Sequence, residues 1–293
     1  MSYPDMTYVC TNMPISLART RTKLIVLSSV RAFRLRSLEG RLKRNVIMQA
    51  ACFSSKSKLV VVEGNIGAGK TTLTLELAER MSAKALLEPI SQNPFLEKFY
   101  SDPKKYAFQL QLWIFRRRLE LYSEALNHML QQNETVILDR SVFGDCVFAE
   151  VGHNDGNISN EEYAIYQQLC KRMSKIFPVP DVLIFLDMSP TCCHRRIISR
   201  GRECEQGIPV EYLEKLDRSY HGFLQSMRLC RTHVASFDWK DFGCVSEVVK
   251  TISSAARLNT GKEAMDGYQK SLEMLSTQKT DLWSFVSQGL QIK

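Results

Sequence analysis

Residues 59–72 read Leu59-Val60-Val61-Val62-Glu63-Gly64-Asn65-Ile66-Gly67-Ala68-Gly69-Lys70-Thr71-Thr72. Four apolar β-formers run into Glu63, and Gly64-x-x-x-x-Gly69-Lys70-Thr71 follows at once, satisfying the phosphate-binding pattern in full. Glycines let such a loop turn its N–H groups inward through conformations that a Cβ obstructs. Lys70 brings a mobile positive charge and Thr71 a hydroxyl for Mg²⁺, where the next helix offers its N-terminus to an anion. Past Thr71 the apolar spacing lengthens from strand to helix, with Leu73, Leu77 and Met81 on one face. Strand, loop and helix in this order predict a nucleoside triphosphate site built from Gly64, Asn65, Ile66, Gly67, Ala68, Gly69, Lys70, Thr71 and Thr72.

Outward from this loop, strand and helix signals alternate as in an α/β fold with a parallel sheet. The predicted strands are Leu59 to Glu63, Ala85 to Glu88, Thr135 to Asp139, Val182 to Asp187 and His233 to Asp238. Long helical patterns cover Tyr106 to Gln131, Glu161 to Ile176 and Val210 to Cys230. The first four strands each end in or beside a carboxylate, Glu63, Glu88, Asp139 and Asp187, at the edge where open α/β sheets bind ligands.

The net charge of +8 is unevenly spread: residues 1–58 hold eleven Lys and Arg against Asp5 and Glu39, so the remainder is near neutral. A general nucleic-acid surface on the folded part is therefore disfavoured. No apolar run is long enough to span a bilayer. Residues 1–57 are rich in arginine and poor in acids, the composition of a mitochondrial presequence, with an unstructured extension and a cytoplasmic protein as the alternative. The nine cysteines show no zinc spacing, and reduced thiols in an intracellular compartment are the expectation. The division expected is a basic segment over 1–57, a catalytic domain over 58–253, and a helical or flexible appendage over 254–293.

Asp139-Arg140-Ser141 closes the third strand with a carboxylate that can hold Mg²⁺ and a guanidinium that can steady transferred charge. In His194-Arg-Arg-Ile-Ile-Ser-Arg-Gly-Arg202, Arg196 and Arg200 share a helix side and Gly201 ends the helix before Arg202, which suggests a lid over a phosphate. Gln111 and Arg118, seven apart, point the same way on an otherwise apolar helix, as a base-recognition pocket requires.

Taken together, Glu63 to Thr71, Glu88-Pro89, Tyr100-x-x-Pro103, Phe108-x-x-Gln111, Asp139-Arg-Ser-Val-Phe143 and Arg200-Gly-Arg-x-x-Glu205-Gln-Gly-Ile-Pro209 through Lys215 resemble the deoxyribonucleoside kinases. The resemblance implies a P-loop NTPase fold, a five-stranded parallel sheet flanked by helices, with an arginine-rich lid. It implies transfer of the ATP γ-phosphate to the 5′-hydroxyl of a deoxynucleoside in nucleotide salvage, with Mg²⁺ as cofactor, as a homodimer. By the same resemblance Glu88 is the general base, assisted by Arg140 and Lys70, while Tyr100 and Glu205 hold the sugar. Gln111, Arg118 and Asp145 would read the base; Arg196, Arg200 and Arg202 would form the lid; Thr71 and Asp139 would hold the metal. Asp139 stands where the better-known animal enzymes carry Glu, and the spacing from Asp145 to Phe148 is one residue shorter than theirs. An arginine and an aspartate in the pocket favour a purine or cytosine over thymine. Rival readings are a thymidylate-kinase-like enzyme, against which Glu88 would repel an acceptor phosphate, and a silent kinase-like subunit of respiratory complex I.

Overall fold

The computed structural model describes residues 57–88, 92–256 and 266–273. The basic segment before Ser57, Pro89, and the apolar cluster of Leu282, Trp283 and Phe285 lie outside the described residues. Five strands form one parallel sheet: β1 (Leu59–Gly64), β2 (Lys84–Leu86), β3 (Val136–Asp139), β4 (Val182–Asp187) and β5 (His233–Asp238), in the order β2-β3-β1-β4-β5. β1 is central and buried at every position, which explains its unbroken apolar run, because a strand covered on both faces has no solvent side to alternate with. The predicted second strand is shifted: pairing runs from Lys84 to Leu86, so Glu88 lies beyond the sheet edge instead of ending the strand. Its ladder ends at the pair Leu86–Leu138, one residue before β3 itself ends at Asp139.

Around the sheet stand α1 (Lys70–Met81), α2 (Leu96–Ser101), α3 (Pro103–Gln132), α4 (Asp145–Asn154), α5 (Asn160–Ile176), α6 (Pro190–Arg200), α7 (Val210–Leu229) and α8 (Val245–Ser254). The starts are written locally. Asp102 caps α3, accepting from the Lys105 N–H, with Pro103 at the first helical position. Ser159 and Glu162 form a reciprocal capping box on α5. Ser189 and Pro190 open α6, and Gly201, at φ 74°, ends it as the spacing predicts. Phe115, Leu119, Tyr122, Leu126 and Met129 of α3 enter the core with the strands.

Residues 266–273 are helical, with Tyr268 and Ser271 buried and the Ser271 hydroxyl donating to the Ile176 carbonyl. Among the described residues, no helix is long and apolar enough to cross a membrane. Cys146, Cys170, Cys192, Cys193, Cys204 and Cys244 are free thiols.

At the opposite end of the sheet from the loop, buried Lys58 donates to the carbonyls of Ile252 and of Ser253, the latter at 2.8 Å, and so neutralises the C-terminus of α8. Lys58→Met leaves both carbonyls without their cation. The expected cost is about 1.5–3 kcal/mol, the range for hydrogen bonds to charged groups, read as a lower urea midpoint. An unchanged midpoint would show that this tie does not hold α8.

Candidate active site

The loop after β1 carries positive φ at Gly64 (151°), Gly67 (80°) and Gly69 (95°). Space matters as much as conformation at Gly67, where a Cβ would come within 2.6 Å of the Cys193 carbonyl oxygen on α6. Asn65 ties the loop to α7, its Nδ2 donating to the Leu213 carbonyl at 2.8 Å, while its Oδ1 accepts from the Ile66 N–H. Lys70 folds back on the loop and donates to the Asn65 carbonyl at 2.7 Å. Burial and then the Arg140 charge push its ammonium down to about 7, although Asp139, Glu63 and Glu88 pull the other way. Thr72, in the first turn of α1, is exposed.

Thr71 donates to Asp139 Oδ2, and Asp139 Oδ1 is buried without a hydrogen-bond partner among the described residues. Burial raises the Asp139 carboxyl above its ordinary value, with Lys70 and Thr71 opposing. A hydroxyl beside a carboxylate with one unsatisfied oxygen suits a hard cation that keeps most of its water and its phosphate ligands.

Beyond this phosphate end, charges of alternating sign are buried in a row. Glu63 Oε2 is 3.6 Å from Arg140, Arg140 Nε is 3.6 Å from Glu88 Oε2, and Arg118 Nη2 is 2.7 Å from Glu88 Oε1. Arg118 Nη1 then reaches Asp145 Oδ1 at 2.9 Å. Burial raises the Glu88 carboxyl, but the Arg118 and Arg140 guanidiniums outweigh it and hold Glu88 below the usual carboxylate range. Both guanidiniums also lie over the Phe148 ring, at 5.7 Å for Arg118 and 4.9 Å for Arg140. Arg140 itself is held at φ 69°, in the left-handed region that costs a non-glycine residue energy, where the chain turns off β3.

Asp145 opens α4 fully buried. Gln111 gives both amide hydrogens to it, one to its carboxylate at 2.6 Å and one to its carbonyl at 3.1 Å. The expected trio of Gln111, Arg118 and Asp145 thus meets in one place. Tyr100 and Glu205 also come together where α2 packs on the 3-10 turn Glu203–Glu205. Arg200 and Arg202 both pair with Glu205, the latter at 3.1 Å. Arg196 parts from them: it donates to the carbonyls of Ala68 in the loop and of Trp239 and Lys240, with Phe242 under its guanidinium. Asp187 ends β4 exposed and takes no part in the buried cluster.

Two hydroxyls went unnoticed in the sequence. Tyr220 on α7 accepts from Arg140 and lies 3.3 Å from Glu63, and Tyr166 on α5 donates to Asp145 at 2.8 Å. Each sits in the apolar stripe of its helix, so periodicity marks it as core and nothing in the chain marks its polar end.

The family model described as deoxynucleoside kinase matches residues 60–260. A deoxyguanosine kinase of Dictyostelium discoideum is 41% identical over 198 residues, covering 68% of this chain and 70% of the relative. A deoxyadenosine kinase of the same organism is 34% identical over 183 residues, covering 62% and 73%. Among solved structures, a deoxyadenosine kinase from M. mycoides with bound dATP superimposes with a TM-score of 0.59 at 25% identity, over 67% of this chain and all of that one. The chain, with its P-loop NTPase fold, belongs to the deoxynucleoside kinase family.

Proposed function

We propose that the protein transfers the γ-phosphate of ATP to the 5′-hydroxyl of a deoxynucleoside, with purine deoxynucleosides preferred. The observation that carries the reading is Glu88: a carboxylate 11% exposed, ionised at neutral pH, and set between two guanidiniums beside Lys70. A carboxylate so placed can take the proton of an attacking hydroxyl, and Arg140 and Lys70 can carry the charge that spreads over the transferred group. A triphosphate in the loop would restore the full charge of Lys70, because a polyanion favours the ammonium that burial disfavours. Thr71 and Asp139 would hold Mg²⁺, which supplies further charge neutralisation at the phosphate oxygens. Arg196, Arg200 and Arg202 are the cations that a closing lid would bring to the same phosphates.

Gln111, having spent both amide hydrogens on Asp145, offers the base its carbonyl oxygen, and Asp145 offers a carboxylate. Arg118 retains N–H groups beyond its three contacts to Glu88 and Asp145. Acceptors beside a donor match the amino-bearing edge of adenine, guanine or cytosine better than thymine, whose edge carries one donor between two carbonyls. The names of the Dictyostelium relatives lean the choice toward purines. Lys70 and Glu88 are the residues that a silent structural relative would be free to lose, and both are present.

Glu88→Gln keeps the shape but cannot accept a proton; its single-turnover rate with bound substrates should fall about 100-fold or more. A normal rate would remove Glu88 from the role of base. With all four deoxynucleosides competing at equal concentration, kcat/KM should be highest for a purine and poor for thymidine. Thymidine as the best substrate would refute the pocket reading. Residues 1–57, fused to a fluorescent reporter, should carry it to mitochondria, in keeping with their basic, acid-poor composition; a diffuse cytosolic signal would refute that address.

A further inference from the structure

Asp145 accepts three protein hydrogen bonds on its carboxylate: Arg118 Nη1 on Oδ1 at 2.9 Å, and on Oδ2 the Gln111 amide at 2.6 Å and the Tyr166 hydroxyl at 2.8 Å. A carboxylate offers about four acceptor positions, so about one remains for a ligand. Arg118 and Gln111 come from α3, the helix that also faces Glu88. Tyr166 comes from α5, a helix that otherwise supplies core. Burial keeps the Tyr166 hydroxyl protonated, so toward Asp145 it can only donate.

We propose, resting on the kinase reading above, that Tyr166 is a specificity-positioning residue: its hydroxyl holds Asp145 in place as a charged acceptor for the amino edge of the nucleobase. Without that donor, Oδ2 keeps only the Gln111 amide, and the carboxyl can rotate and take up a proton. A protonated Asp145 donates where the amino edge also donates, so recognition is lost. The groups that face Asp145 decide where this happens: Arg118 and Gln111 from α3, Tyr166 and Cys170 from α5, Cys146 on its own helix, and Glu88 beyond Arg118. Burial already pushes the Asp145 carboxyl up to about 6 against the pull of Arg118, Tyr166 and Gln111. Because the ionised form binds, recognition is present at higher pH and fades as pH falls through that value.

The test is kcat/KM for the preferred deoxynucleoside, measured on the full chain for wild type and Y166F between about pH 8 and about pH 6. Loss of one hydrogen bond to a charge should raise the Asp145 carboxyl by about one unit. The ratio of Y166F to wild type should then fall about fivefold across the range, since titrations common to both proteins cancel in the ratio. In the Asp145→Asn background the same substitution should leave the ratio level, because position 145 no longer titrates. Should Y166F fail to fold, Y166M fills the space with a flexible apolar chain and carries the same expectation. A purely structural role for Tyr166 would lower kcat/KM equally at every pH, and a level ratio overturns the proposal alone. A wild-type protein that phosphorylates no deoxynucleoside overturns both this proposal and the kinase reading.

Discussion

Burying charge is affordable only when each charge is answered by its opposite, and that constraint organises the site from Glu63 to Asp145. An isolated buried ion costs several kcal/mol, so the row Glu63, Arg140, Glu88, Arg118, Asp145 is stable only as a set. Its members come from β1, the end of β3, the segment after β2, α3 and α4. The row therefore fixes how these elements meet. Its two ends, where a carboxylate has a guanidinium on one side only, are closed by tyrosine hydroxyls: Tyr220 at Glu63 and Tyr166 at Asp145. An apolar ring brings each hydroxyl in, so the helices that supply core also supply the last hydrogen bond.

The two ends of the site differ electrostatically. Along the row from Glu63 to Asp145, carboxylates and guanidiniums satisfy one another. At the phosphate end, Lys70 is held below its usual range and Asp139 above it, both chiefly by burial. A polyanion with its cation is the partner that would relieve both shifts at once, restoring the ammonium and giving the unpartnered Asp139 Oδ1 a charge to face. Arg200 and Arg202 meet Glu205 instead of one another, so an anion that recruits these arginines competes with the residue expected to hold the sugar.

Much of the framework was legible in the chain, because the signals involved are local. A glycine-rich loop after an apolar run, a helix period after a threonine and the Gly201 stop depend on neighbours a few residues apart, and each appears at its expected place. Gln111 and Arg118 sharing a helix side follows from pitch alone. The second strand's bounds differ from the expected ones because they depend on which residues meet β3, here Lys84 to Leu86, and that is no property of residues 84–88 themselves.

Contact across the fold is the part that no local pattern carries. Asp145 meets Gln111 and Arg118 across about thirty residues of sequence, and Arg140 meets Tyr220 across 80. The separation of Arg196 from Arg200, one bent to the loop and one to Glu205, depends on where β5 ends and α2 packs. Tyr166 and Tyr220 show the limit most plainly. Apolar periodicity places both rings in the core, and it does so correctly, but a tyrosine bound for the core reads the same whether its hydroxyl ends on a backbone carbonyl or on a buried carboxylate. The sequence by itself determined the alternation of strands and helices and the phosphate loop with its strand and helix. Only the tertiary structure decided which charges face which, because pairing energies act through space between segments whose separation the chain order does not set.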